Sequence, residues 1–148
     1  MSLSFTWSKS SENVAHFGMM VGERSWEFEG TDAIDSLGEF AEVTSSTVLE
    51  GREAKVAFEN EPGQHLLGMA PLGDGRVEIK LVWVAIPYAV LGGQAQEEVL
   101  AIFEVSVAEL LGAVRSMLAE VQKHCGAAGR TLGKYPFPEA AFERLKNA

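Results

Sequence analysis

The chain has 148 residues, is 47% hydrophobic with three Trp and eight Phe, and sets 21 acids against 12 bases for a net charge of −9. Those totals support a packed globule of one domain, residues 1–148, and exclude a disordered chain. The acid excess argues against a nucleic-acid partner, whose phosphates reward clustered Lys and Arg, and the lone Cys125 excludes an intramolecular disulfide and points to a reducing compartment.

No apolar run reaches the roughly 18 residues that cross a bilayer. The longest candidate, VEIKLVWVAIPYAVLGG, contains Glu78, Lys80 and Pro87 and reads as a strand followed by a loop. The start, MSLSFTWSKS, lacks the basic and then apolar segments of a secretory signal. A cytoplasmic, bacterial-type protein with no membrane association is the expectation.

In chain order, Leu3, Phe5 and Trp7 alternate, HFGMMV follows as a second strand, and Trp26 and Phe28 share one face of a third. The short VGERS between the second and third suits a hairpin. Residues 31–46 are expected to form the first helix, started by Thr31 or Asp32, weakened at Gly38 and ended by the VTSST run. Ala54, Val56 and Phe58 alternate with polar neighbours, HLLGMA follows, and Gly73-Asp-Gly75 makes a turn. The clearest strand is 76–84, where Val77, Ile79, Leu81 and Trp83 share a face, and a loop through Leu91-Gly-Gly93 leads to another at 98–105. Connections this short favour an antiparallel meander over repeated crossover helices.

Ser106-Val-Ala-Glu109 is a capping box, in which the serine caps a backbone N–H and the glutamate reaches back to the cap residue. Val107, Leu110, Leu111, Val114, Leu118 and Val121 then form an apolar stripe, and Gly126 fits a left-handed helix end. After the glycine-rich GAAGRTLGKYPFP, a short helix starts at Pro138 and turns Ala141, Phe142 and Leu145 inward.

Motifs for chemistry are missing. His16, His65 and His124 have no partner at metal-ligand spacing, and His124 and Cys125, adjacent on a helix, point about 100° apart. Gly133-Lys134 resembles the end of a phosphate loop, but that motif requires Gly at 128 and Ser or Thr at 135, where Ala128 and Tyr135 stand. There is no Gly-x-Ser-x-Gly elbow, and Cys125 has no evident activating base. No enzyme activity, cofactor or metal is expected.

The distribution of charge is the unusual feature. From Glu23 to Glu61 eleven acids face three bases, so this segment holds −8 of the net −9. Within it, Asp35, Glu39 and Glu42 share a helical face, with Asp32 one turn earlier, a spacing at which like charges repel. Two readings stand side by side: a solvated face that keeps the protein soluble, or a docking surface that steers a basic partner.

Three stretches, LGEFAEV, GRVEIKLVW and IFEVSVAELLGAVRSMLAEV, are similar to those of small bacterial proteins. Over residues 26–121 the chain resembles the immunity proteins of polymorphic and contact-dependent toxin systems, in particular the WapI-type group and its uncharacterised relatives. The resemblance implies an acidic, non-enzymatic protein that binds and neutralises a cognate toxin.

The expectation is therefore an α+β fold with a mainly antiparallel sheet of about six or seven strands, and with two main helices and a short C-terminal helix packed largely on one face. The leading function is a non-enzymatic protein-binding module using Asp32, Asp35, Glu39 and Glu42, with Glu50, Glu53, Glu59 and Glu61 beside them. Two alternatives remain: a small-molecule-binding domain or minor enzyme with Trp7, Trp26, Trp83 or Tyr88 lining a pocket, and a structural homo-oligomer, such as a homodimer, joined through an apolar patch or a strand edge.

Overall fold

Alternating side chains build seven long strands, and three helices pack against them. A computed structural model describes residues 2–11, 13–31, 34–60, 63–85, 96–125, 130–132 and 135–148. The order is β1 (Leu3–Lys9), β2 (Val14–Val21), β3 (Arg24–Thr31), α1 (Ser36–Glu50), β4 (Ala54–Asn60), β5 (Gly63–Pro71), β6 (Arg76–Ala85), β7 (Gln96–Ser106), α2 (Val107–His124), β8 (Arg130–Leu132), β9 (Tyr135–Pro136) and α3 (Glu139–Lys146). No helix among the described residues is long and apolar enough to cross a membrane.

The fold is α+β and antiparallel, but the expected sheet of six or seven strands is divided. β1-β2-β3 form one sheet, β4-β5-β6-β7 a second, and β8 and β9 a small ladder. The first turn of α1 sits at the outer edge of β4. There the Ser36 hydroxyl donates to the Ala57 carbonyl at 2.8 Å, and the Ala57 N–H donates to the Glu39 carboxylate. Side chains of the helix thus occupy backbone groups on the outer edge of β4 that a strand would otherwise take. β3 still lies against β4, with the Phe28 and Phe58 rings 4.9 Å apart.

One core runs through both sheets and all three helices. Phe17 sits at its centre, fully buried, within 4.6–5.7 Å of the Phe5, Phe28, Phe40 and Phe58 rings. Such aromatic pairs add about 0.5–1.5 kcal/mol each beyond area burial. Phe40 brings α1 into this cluster, edge-on to Phe5 and Phe17.

The first helix starts and ends later than expected. Asp35, rather than Thr31 or Asp32, is its cap and accepts from the Gly38 N–H at 3.0 Å; Asp32 lies outside the described residues. A Cβ at Gly38 would overlap the Asp35 carboxylate, so the glycine that weakens the helix makes room for its cap. The VTSST run does not end the helix, because its hydroxyls bond back to the chain. Thr44 donates to Phe40 O and Thr47 to Arg52 O, both at 2.8 Å. Gly51, at φ 66°, closes the helix, its N–H donating to Ser46 O.

At α2 the Ser106 hydroxyl accepts from Glu109 N–H as expected, at 3.0 Å. The Glu109 side chain does not return to the cap; it accepts from Leu3 N–H at 3.0 Å and ties the start of β1 to α2. Gly126, expected to close this helix, lies outside the described residues, as do Tyr88, Leu91-Gly-Gly93 and Gly133-Lys134. α3 follows Pro138 and buries Ala141, Phe142 and Leu145. The Arg115 guanidinium holds its end by donating to Leu145 O and Ala148 O.

Candidate functional site

Most of α1 is buried, and only a narrow stripe through Glu39, Glu42, Leu49 and Glu50 is exposed. Each described acid expected to dock a partner from this helix has a structural partner. Asp35 caps the helix. Glu39 reaches the Ala57 N–H, and burial, then the nearby Asp35 charge, push its carboxyl above the usual range, with the Ala57 N–H acting the other way. Glu42 pairs with Arg144 of α3 at 2.6 Å, while the same guanidinium donates to Ser45 Oγ. Glu50 pairs with Arg52 at 3.2 Å. Glu61, like Asp32, lies outside the described residues.

Other acids of the segment have no ion-pair partner among the described residues: Glu23 in the β2–β3 turn, Glu27 and Glu29 on β3, and Glu53 and Glu59 at and on β4. Glu27 and Glu29 alternate with the inward Trp26 and Phe28, and Glu59 follows the inward Phe58. The Phe28 and Phe58 rings meet on the core side, so the three carboxylates point away from that contact on the two neighbouring strands. Glu27 and Glu29 are two acids that the helix-centred reading did not choose, and they leave the core side on β3 as Glu59 does on β4. Their signal was present in the alternation of SWEFEG.

The second sheet has an outward face of its own, ordered by register into rows. One row is Lys55, Gly68, Lys80 and Ile102; the next is Ala57, Leu66, Val82 and Val99. A groove of about 420 Å³ runs over this face, with Lys55, Lys80, Leu66, Val82 and Glu97 among its walls. At β7 the face ends in side chains open to solvent: Val99 is 53% exposed and Ile102 55%. The β6–β7 register slips between Leu81 and Val82, leaving Leu100 as an extra residue on β7. A second groove, of about 520 Å³, lies at the start of α3 beside Glu42, Pro136 and Phe137.

Groups suited to catalysis are dispersed. His16 is on the outward face of β2 between Ser8 and Glu29 in register, and His124 stands 3.9 Å from Glu120 on α2. His65 stacks on Phe28 at 4.4 Å beside Trp83, and burial lowers its pKa from 6.5. Burial raises the Cys125 thiol pKa, an effect the Lys9 charge opposes, so the thiolate is disfavoured. Among the described residues no group of three or more His, Cys, Asp or Glu could hold a metal ion.

The tryptophans go to separate tasks. Trp7 covers Gly30, with its Nε1 buried and without a hydrogen-bond partner among the described residues; Trp26 lies under the Arg24 guanidinium at 4.7 Å; Trp83 flanks His65. Compared with family models, curated proteins and solved structures, the chain matches none.

Proposed function

We propose that this protein is a non-enzymatic protein-binding module, an immunity-type protein that acts in the cytoplasm by covering the basic surface of a toxin. The observation that carries the reading is the division of labour among its acids. On α1 Asp35 caps the helix and Glu42 and Glu50 are ion-paired, whereas Glu27, Glu29 and Glu59 on β3 and β4 have no ion-pair partner among the described residues. Carboxylates free of internal partners keep their field for an approaching cation, which raises the rate of encounter more than it adds affinity. The toxin class rests on the resemblance of residues 26–121 to immunity proteins.

The test is affinity capture from the source cells with the wild-type chain and with a chain bearing Glu27→Lys, Glu29→Lys and Glu59→Lys. A basic protein held by the first, and associating with the second about tenfold more slowly at low salt, supports the reading. A partner that binds both at one rate rejects these three carboxylates, and a captured protein that is acidic rejects the class.

A further inference from the structure

β7 is the last strand of the four-stranded sheet and, among the described residues, is paired to β6 on one side only. Its first four residues, Gln96, Glu97, Glu98 and Val99, are exposed in succession, so side chains on both faces of the strand meet solvent. Val99 and Ile102 are more than half exposed despite lying on a strand. An uncovered edge offers a row of unpaired backbone N–H and C=O groups, which is a template for another strand.

The charge on this edge selects what can fill it. Glu97 and Glu98 have no ion-pair partner among the described residues, whereas Glu104 is held by Arg76 at 2.7 Å. A second copy laid antiparallel so that Val99 met Ile102 would also bring each Glu97 opposite a Glu104. Like charges directly opposed across strands are destabilising. An extended segment with Lys or Arg opposite Glu97 gains where a copy of this chain in that register loses, so this carboxylate disfavours the one occupant and favours the other.

We propose that the free edge of β7, over residues 96–102, accepts a lysine- or arginine-bearing extended segment of a partner protein as an added strand. This edge is at the far side of the sheet from β4 and its Glu59, so either surface can fail while the other stands.

The test uses the full chain with two short peptides, one alternating lysine and valine, the other glutamate and valine. Amide hydrogen exchange is followed along β7. The lysine peptide should slow exchange at β7 amides and bind about tenfold more tightly than the glutamate peptide. In a chain carrying Glu97→Lys and Glu98→Lys that preference should reverse; circular dichroism confirms that the fold is kept. Unchanged exchange at β7 with saturating lysine peptide overturns the proposal. So does equal binding of the two peptides, or β7 protection that appears without peptide and grows with protein concentration, since a second copy then fills the edge. Loss of toxin capture in the variant bearing Glu27→Lys, Glu29→Lys and Glu59→Lys, with peptide binding at β7 intact, would separate this surface from those carboxylates.

Discussion

The first half of α1 and the first half of β7 each carry acids, yet these differ in every contact. On α1, Asp35 closes the helix start, Ser36 and Glu39 take the backbone of Ala57, and Glu42 holds Arg144. On β7, Glu97 and Glu98 are exposed and hold nothing among the described residues. Density of charge along the chain therefore does not locate a binding surface. A carboxylate already bonded within the fold has little left to offer a partner, and removing it costs stability before it costs binding.

This contrast can be broken by substitution. The largest effect is expected from Ser36→Ala, which leaves the part-buried Ala57 carbonyl without its donor and should cost about 1–3 kcal/mol in chemical denaturation. A loss below a few tenths of a kcal/mol would mean that the turn does not hold the β4 edge. Glu39→Gln should act through pH. The folded-state pKa of Glu39 lies above its ordinary 4.5, so the wild type binds a proton more tightly folded than unfolded. Its melting temperature should therefore rise relative to the glutamine variant as pH falls through that raised value towards 4.5, and change no further below it. A constant difference across this window would place the carboxylate in water. The smallest effect belongs to Glu97→Ala with Glu98→Ala, expected within about 0.5 kcal/mol of wild type because both side chains are exposed and neither has an ion-pair partner among the described residues.

Much of the fold was legible along the chain. Period-two spacing marks Leu3, Phe5 and Trp7, and again Val77, Ile79, Leu81 and Trp83, because a pleated strand turns alternate residues to one side. Ser106 and its apolar stripe mark α2 for an equally local reason, since a cap and a helical face are set within a few turns. The limits of α1 were less legible. VTSST has the composition of a helix end, but burial of Val43, Thr44, Ser45 and Thr47, with Thr44 beside Met69 of β5, sustains the helix through it.

The role of each acid was not legible. Glu39 and Glu97 are the same side chain on exposed positions, and nothing within a few residues of either reports that one meets the backbone of β4 and the other meets solvent. Local spacing sets the elements, the direction in which each side chain points and the −8 gathered between residues 23 and 61. The division into two sheets, the pairing of Glu42 with Arg144 across 102 positions and the open edge of β7 arise only when distant segments pack. Hydrogen bonds and ion pairs act over a few ångströms in space, so their partners are chosen by the tertiary fold and not by neighbours in the chain.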